Sequence, residues 1–208
     1  MSQGTYYRGE VKCIALAGGI GAGKSTVVDY LRAQGFEAID ADEVYRDLVA
    51  PGQPLLATLV DAFGTAILTR DGELDRTFLS AIVFHDGSAL TRLNAITHPP
   101  VGRELRRQLD AAAGEAAFVA IPLFRPDHRR DLDLDEVWSI QVSPEIAVER
   151  LVAQRAMTEE EALARIAHQI NNDEREKMAD EVIWNNTERD ALRARIDELL
   201  RERGLDGH

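Results

Sequence analysis

The stretch LAGGIGAGKST, from Leu16 to Thr26, is rich in glycine and alanine, which have little side chain to pack, and it overlaps the end of an apolar run. That run, VKCIALAG, is predicted to form a short buried strand. The segment KSTVVDYLRAQG is predicted to form a helix that ends near Gly35. Between them, Gly18 to Ser25 match G-x-x-x-x-G-K-[ST] in the strand, loop and helix context that this motif requires. The sequence therefore predicts a P-loop, and with it a nucleotide site.

The residue types of this loop fit the chemistry of phosphate binding. Glycines let successive backbone N–H groups turn toward a phosphate, and the following helix adds its positive dipole end. Lys24 supplies a mobile charge, and the Ser25 hydroxyl can ligate Mg²⁺. A glycine turn with a solvated lysine is the alternative, but the agreement of spacing and context favours a phosphate site. The predicted nucleotide-binding residues are Gly19, Ile20, Gly21, Ala22, Gly23, Lys24, Ser25 and Thr26.

Composition limits the class of protein and its partners. The chain has 208 residues, 45% hydrophobic and 29% charged, as is typical of a globular domain. Its formal net charge of -12 argues against general binding to nucleic acid or an anionic membrane, so any phosphate site must be local. The single Cys13 excludes an intramolecular disulfide and a cysteine zinc cluster. No apolar run reaches the ~18 residues of a membrane span, and residues 1–10 lack the apolar core of a secretion signal, so we expect a cytoplasmic protein.

Alternation of strands and helices predicts the fold class. Five apolar runs are predicted strands, namely VKCIALAG, FEAID, EAAFVAIPLF, DEVWSIQV and DEVIWN, and Trp138 and Trp184 within them are predicted core residues. Such an order forms parallel βαβ units, so we expect a single three-layer α/β/α P-loop domain over residues 1–208 with a parallel five-stranded sheet. From Val44 to about Asp110 the pattern is mostly helical, with turns at APGQP, TRDGELDR, FHDG and THPP, and indicates an inserted helical region.

Two carboxylates follow the second predicted strand. Asp40 and Asp42 are two residues apart, so in extended chain they would project to the same side, at the sheet edge where the P-loop opens. A carboxylate there can accept a proton from an acceptor hydroxyl or help to hold Mg²⁺. Asp40 fits equally well as a cap of the next helix. We assign the catalytic role to Asp42.

A P-loop also occurs in switch GTPases. These normally carry an N-K-x-D guanine reader, which this sequence lacks. A match to D-x-x-G at Asp61 to Gly64 lies in the helical region without a strand before it, and we interpret it as chance. The pattern therefore favours a kinase.

Two helices with arginines are predicted after the fourth strand. Ser143-Pro144 is a good helix start because proline suits the first helical position, and Thr158 to Glu161 fit a capping box for a second helix. The two helices, joined at RAMT, would form a hairpin. Its Arg150 could stabilise a transferring phosphoryl group, although a solvated charged helix is the alternative.

Eight segments occur along the chain in an order typical of a known family. They are ALAGGIGAGKST, IDADEVYRDLVAPGQP, FGTAILTRDGELDR, VF followed by LNAITHP, AIPLF, VSPEIAVERL, EEALARIAHQ and ADEVIWNN. Over about Val11 to Leu200 the chain resembles bacterial dephospho-CoA kinases, most specifically in the P-loop joined to D-A-D and in L-N-x-I-x-H-P. The resemblance implies a phosphotransferase that uses ATP and Mg²⁺ to phosphorylate the ribose 3′-hydroxyl of dephospho-CoA, the last step of coenzyme A synthesis.

The resemblance also implies roles for residues at the ATP site. Lys24 matches the P-loop lysine, and Asp42 matches the family's proposed base. Arg150 belongs to a lid, here residues 145–175, that closes over ATP with arginines. Asn185 falls in the loop that borders the adenine.

The inserted helical region, residues 44–110, is the acceptor-binding region that the resemblance implies. Its implied substrate-binding residues include Arg76 and His98, beside Asp42 just before it. His98 precedes Pro99 and could instead be a helix-end histidine, because proline commonly terminates helices.

The chain departs from the family pattern at several places around the acceptor. Ala17 occupies a position where Thr is common, PLFRPD with Arg125 replaces P-L-L-F-E, and Ala147 replaces a glutamine early in the lid. Two alternatives therefore stay open: a related kinase for another nucleoside or nucleotide, and a nucleotide-binding regulator without catalysis. The P-loop lysine and serine, together with the predicted base, argue against the regulator.

The second lid arginine is displaced. Gln154 occupies its expected position, and Arg155 follows one residue later. At ~100° per residue, Gln154 lies within ~40° of Arg150 on the helix, whereas Arg155 lies ~140° away. Arg155 is therefore predicted to face elsewhere unless the helix ends early.

Overall fold

The computed structural model describes residues 11–155 and 157–205, except for the side chains of residues 154 and 155. The strands are β1 (Lys12–Gly18), β2 (Glu37–Asp40), β3 (Ala116–Ala120), β4 (Glu136–Gln141) and β5 (Glu181–Trp184). They form one parallel sheet in the order β2-β3-β1-β4-β5. The predicted three-layer α/β fold with a parallel five-stranded sheet is confirmed.

Ten α-helices accompany the sheet in the described ranges. They are α1 (Lys24–Ala33), α2 (Ala41–Leu48), α3 (Pro54–Phe63), α4 (Arg76–His85), α5 (Gly87–Ala111), α6 (Pro126–Asp131), α7 (Pro144–Arg155), α8 (Glu159–Ala167), α9 (Asn172–Glu176) and α10 (Arg189–Glu202), with a 3₁₀ turn at Thr65–Ile67. α1 ends just before Gly35, as predicted. α8 begins at the predicted capping box, in which Thr158 and Glu161 exchange hydrogen bonds of 2.9 and 3.2 Å.

The central strands form the core of the sheet. Every residue of β3 is buried, as expected of a parallel strand covered on both faces. Phe118 and Trp138 are fully buried and meet edge-on, with ring centroids 5.4 Å apart, so Trp138 is a core residue as predicted. Leu16 is paired with Ala120 on one side and Trp138 on the other. The strands therefore end at one edge, where the loop after β1 begins.

Trp184 does not belong to the core. Its side chain is 52% exposed, whereas the preceding Ile183 is fully buried. The prediction was wrong because Trp184 ends β5, an edge strand with a neighbour on one side only. Sequence pattern alone does not distinguish an edge strand from a central one.

Contacts divide the chain into two compact units. One contains the sheet and comprises residues up to Asp40 and from Gln108 onward, and the other comprises Ala41–Arg107. The second unit is helical and has its own apolar core, in which Leu59 and Ile67 are completely buried. Within the described ranges no helix combines the length and apolar character that a membrane crossing needs.

α5 continues through Pro99 and Pro100, so the prediction of a turn at THPP was wrong. Proline removes a backbone donor and usually ends or kinks a helix. Here Leu105 and Leu109, which follow the prolines, are buried, and this burial outweighs the tendency of proline to end the helix. His98 accordingly lies inside the helix and not at its end.

Glu136 ties the C-terminal helix to the sheet. Its carboxylate accepts hydrogen bonds from Lys12 Nζ at 2.8 Å, Trp138 Nε1 at 3.0 Å and Arg203 Nε at 2.5 Å. Arg203 also donates to Glu181 at 3.3 Å. Burial alone would raise the pKa of Glu136, but these hydrogen bonds and the Arg203 charge outweigh it and lower the pKa to about 2.

Glu136→Gln is expected to lower the free energy of unfolding at neutral pH by about 1–3 kcal/mol, as for loss of a hydrogen bond to a charged group. Because the folded-state pKa is depressed, the carboxylate contributes this stability above the ordinary pKa of 4.5 and loses it as the pH falls toward about 2. Urea unfolding of wild type and variant across this range checks the prediction. The difference should shrink with acidification, and a constant difference would contradict it.

Candidate active site

The P-loop joins β1 to α1 through a turn with glycines at two constrained positions. A Cβ added to Gly18 would lie 2.5 Å from the Ile140 carbonyl oxygen of β4. Gly23 has a left-handed backbone with φ of 95°, and a Cβ there would lie 2.5 Å from Nδ2 of Asn185. Contact with backbone therefore demands glycine at Gly18, and the left-handed backbone favours it at Gly23, independently of any ligand.

Lys24, the first residue of α1, folds back over the beginning of the loop. Its Nζ donates to the Gly18 carbonyl at 2.7 Å and to the Gly19 carbonyl at 3.0 Å. Ser25 and Thr26 follow in the first turn of α1, whose N–H groups and dipole favour an anion. The loop thus brings together a positive charge, a helix N-terminus and the exposed Ser25.

Asn185 is buried against the P-loop, with 5% of its surface exposed. Its Nδ2 donates to the Ala22 carbonyl at 2.8 Å, and its Oδ1 accepts from Nη2 of Arg150 at 3.5 Å. Its backbone N–H donates to the Gln141 carbonyl at 2.7 Å, so β4 holds it in place. Asn185 therefore supports the loop, and its predicted role beside the adenine stays a prediction.

α7 places Arg150 against the same loop. Its Nη1 donates to the Gly21 carbonyl at 3.3 Å. Ala147, one turn earlier, is buried, and its carbonyl oxygen would lie 3.3 Å from a Cβ added to Gly21. α7 continues to Arg155, so the helix does not end early; the side chains of Gln154 and Arg155 lie outside the described residues.

Two residues that the sequence analysis missed, Gln169 and Arg175, also contact the loop. Gln169 Oε1 accepts the Ile20 N–H at 2.9 Å. The Arg175 guanidinium lies against Gly19, where an added Cβ would be 3.1 Å from Nη2. The available signals were that both residues fall within the predicted lid, residues 145–175, and that Gln169 ends the segment EEALARIAHQ.

Two cavities adjoin the loop. The larger has a volume of about 450 Å³ and is lined by Gly19 and Ile20 together with residues of α7, α8 and α9. The smaller, of about 160 Å³, is lined by Gly18 and by the PLFR segment, including Arg125. The larger cavity is within the size range of small-molecule sites.

The two candidate carboxylates have different local structures. Asp40 is the last residue of β2, whereas Asp42 lies in the first turn of α2, in the helical unit. The expectation that both project from extended chain was therefore wrong. Acidic residues in a first helical turn interact favourably with the helix dipole, which favours a helix start at Ala41. The assignment of Asp42 as the base stays a prediction.

Beside Asp42, the predicted acceptor-binding residues are Arg76 and His98, and both are exposed on the helical unit. Arg76 begins α4 after Asp75, whose carboxylate accepts the Phe78 N–H at 2.8 Å as an N-cap. Its guanidinium lies 5.3 Å from the centre of the Tyr45 ring. Burial raises the pKa of Tyr45, and the Arg76 charge opposes that rise. His98 lies on α5, and contact of either residue with an acceptor stays a prediction.

A family model described as Dephospho-CoA kinase matches residues 12–191. The chain belongs to the dephospho-CoA kinase family. The curated Dephospho-CoA kinase of Corynebacterium efficiens is 45% identical over 192 residues, which cover 91% of this chain and 96% of that protein. The resemblance inferred from the motifs is confirmed, and the GTPase alternative is excluded.

Two solved structures are similar to this chain over nearly its whole length. The crystal structure of TT1252 from Thermus thermophilus has a TM-score of 0.79 and 30% identity, and the match covers 93% of this chain and 98% of that chain. The dephospho-CoA kinase from Campylobacter jejuni has a TM-score of 0.64 and 26% identity, with 93% and 97% covered. The matches span nearly the whole length of both structures, so they include the helical unit.

Arg150→Ala is expected to lower kcat/KM by about 10²-fold, the range for loss of a group that stabilises developing charge. The loss should appear in kcat as well as in KM, because the transition state uses this charge more than the ground state does. Steady-state kinetics on dephospho-CoA check this, with Arg155→Ala on the same helix as the matched control. The control should have little effect. Equal losses from both variants would refute a lid with a single arginine on α7.

Proposed function

We propose that this chain transfers the γ-phosphate of ATP to the 3′-hydroxyl of dephospho-CoA and so forms coenzyme A. The proposal rests chiefly on the P-loop of this family member, with the Lys24 ammonium held over Gly18 and Gly19. In this reaction the 3′-oxygen bonds to the γ-phosphorus, the bond from that phosphorus to ADP breaks, and the hydroxyl proton passes to a base.

Asp42 is the proposed base. A carboxylate can take up the proton that the attacking hydroxyl loses, which Lys24 and the loop N–H groups cannot do. Those groups instead stabilise charge on the transferring phosphoryl group. The contact of Arg150 with Gly21 supports a similar role for its guanidinium once the donor is bound.

Mg²⁺ is the proposed metal, bound together with ATP. The exposed Ser25 hydroxyl at the start of α1 would hold it jointly with the phosphates, whose charge it would neutralise. Mg²⁺ usually keeps several waters and needs few protein ligands. Within the described part of the chain, no group of three or more His, Cys, Asp or Glu could hold a metal ion.

The helical region, residues 44–110, is the proposed acceptor-binding region. The exposed guanidinium of Arg76 suits a phosphate group of dephospho-CoA, and His98 is exposed as well. We further propose that residues 145–175, which include α7 and α8, act as the lid over ATP. We also propose a cytoplasmic location, and from the net charge of -12 we propose that the chain does not bind nucleic acid.

A related kinase with a different acceptor is the second candidate. The altered PLFRPD segment would permit it, since Arg125 of that segment lines the cavity of about 160 Å³ beside Gly18. A coupled assay with ATP, Mg²⁺ and a panel of dephospho-CoA, AMP, CMP and nucleosides separates the candidates. We expect the highest kcat/KM for dephospho-CoA. A higher value for another acceptor would establish the second candidate, and no turnover of any acceptor would favour a regulator.

A further inference from the structure

Arg175 lies at the P-loop and is the last residue of the proposed lid, but neither the motif nor the proposed function assigns it a particular contact. Its Nη2 lies 3.1 Å from the position of a Cβ added to Gly19. The Lys24 ammonium donates to the carbonyl of the same glycine. Two positive charges therefore converge on Gly19. Because the motif lysine serves the β- and γ-phosphates, Arg175 lies at that end of the donor site.

Arg150 and Arg175 contact different parts of the loop. Arg150 donates to the Gly21 carbonyl and is further held by the buried Asn185. Arg175 lies two residues earlier, against Gly19. The two arginines therefore do not duplicate one another.

The hydrogen-bond partners of Arg175 are neutral. Nη1 donates to Oδ1 of Asn172 at 3.1 Å, and Nη2 donates to Oε1 of Gln169 at 3.3 Å. Among the described residues no carboxylate forms an ion pair with it, and burial lowers the pKa of its guanidinium. An arginine keeps its charge in proteins. A half-buried charge without a counter-ion is costly, so an anion bound here would be stabilised.

Gln169 and Asn172 hold the guanidinium in a fixed orientation. Nδ2 of Asn172 donates to the Val142 carbonyl at 3.0 Å, and the Asn172 carbonyl accepts from Nε2 of Gln141 at 3.1 Å. Gln169 is attached to the loop itself through the Ile20 N–H. A cation that is already held in place before its ligand binds stabilises developing negative charge without having to reorganise during the reaction.

Both cavities at the loop reach this arginine. Gln169, Ile170 and Arg175 line the cavity of about 450 Å³ and also the cavity of about 160 Å³. Arg125 lines the smaller cavity as well. Glu174 lines the larger cavity, where Lys177 pairs with it at 2.6 Å. The guanidinium is therefore accessible to a ligand, and the two arginines of the smaller cavity favour an anion on that side.

We propose that Arg175 binds the γ-phosphate of the donor nucleotide, and that Gln169 is the residue that positions it. The proposal rests on the proposed nucleotide chemistry but not on the identity of the acceptor. Arg175 would donate to the γ-phosphoryl oxygens and stabilise their charge during transfer. It would thus perform the task that the family pattern gives to a second lid arginine, at a position remote in sequence from Arg155.

Titration calorimetry of the full chain with Mg-ATP and with Mg-ADP tests the role of Arg175. Arg175→Ala is expected to weaken ATP binding by about 10-fold or more, in keeping with loss of a hydrogen bond to a charged group, and to change ADP binding less than about two-fold. It should also lower kcat by about 10²-fold. The matched control is Lys177→Ala, which removes an exposed cation of the same segment, paired with Glu174 at 2.6 Å. It should leave both affinities unchanged.

Two substitutions of Gln169 test its positioning role. Gln169→Ala should weaken ATP binding and lower kcat, each by less than Arg175→Ala does, and should leave ADP binding unchanged. Gln169→Glu places a carboxylate beside Arg175, where it would compete with the γ-phosphate, so ATP binding should be weaker than in the alanine variant. A purely structural role would weaken ATP and ADP alike.

Equal weakening of ATP and ADP by Arg175→Ala, or unchanged ATP affinity, would overturn the proposal. If the unfolding midpoint shows that this variant does not fold, Arg175→Lys and Gln169→Glu apply the same ATP-to-ADP criterion. Wild-type protein that binds ATP but does not phosphorylate dephospho-CoA would count against the proposed function only. The two proposals can therefore fail separately.

Discussion

Lys24→Ala is expected to abolish phosphoryl transfer, with kcat lowered by about 10³-fold, while the protein stays folded. The ammonium is held at the carbonyls of Gly18 and Gly19, in the loop whose lysine serves the β- and γ-phosphates of a bound nucleotide. The alanine side chain of the variant supplies no charge to those phosphates. Steady-state kinetics with ATP and dephospho-CoA, together with the thermal unfolding midpoint, measure both parts of the expectation.

The control for this substitution is Lys177→Ala, which removes an exposed lysine of the same unit that pairs with Glu174. Its activity and unfolding midpoint should match those of wild type. Activity of Lys24→Ala within a few-fold of wild type would end the interpretation of the chain as a P-loop kinase. Loss of activity together with the fold would show that Lys24 is structural.

Asp42→Asn is expected to lower kcat by ~10²–10⁴-fold, the range for loss of a general base, with little change in the Kd for ATP. The amide keeps the shape of the carboxylate and its place in the first turn of α2, but it does not accept the proton of the acceptor hydroxyl. Pre-steady-state measurement of the transfer step and titration with ATP separate the two quantities.

Asp40→Asn is the matched control, because it makes the same change two residues earlier, at the end of β2. It should lower kcat less than Asp42→Asn does. If the two substitutions gave the opposite order, Asp40 would be the base and the assignment from the family pattern would be wrong.

Local signals in the sequence predicted the sheet and several helix ends. Short apolar runs between turn residues define the five strands, and the capping box at Thr158 defines the start of α8. The failures involve tertiary context. In α5 the helix continues through two prolines because the residues beyond them are buried. Trp184 is exposed because its strand lies at the edge of the sheet.

In the candidate site, too, the sequence predicted a local motif but not the contacts between residues that are distant in sequence. The P-loop could be predicted because its chemistry is contained in eight consecutive residues, Gly18 to Ser25. Gln169 and Arg175 could not, because the Ile20 N–H that Gln169 binds is 149 residues away in sequence. Polar and charged side chains are common on solvated helices, so neither residue type carries a signal until the fold brings it to the loop.

The chemical position of the transferred phosphate tests the proposed reaction most directly. ATP labelled in the γ-phosphate is incubated with dephospho-CoA, Mg²⁺ and the full chain, and the product is examined by ³¹P NMR and mass spectrometry. We expect the label in one new phosphomonoester on the ribose 3′-oxygen, formed with one ADP per product and lost in the Lys24→Ala variant. Label at any other oxygen of dephospho-CoA, or only in inorganic phosphate, would contradict the assignment of this chain as a dephospho-CoA 3′-kinase.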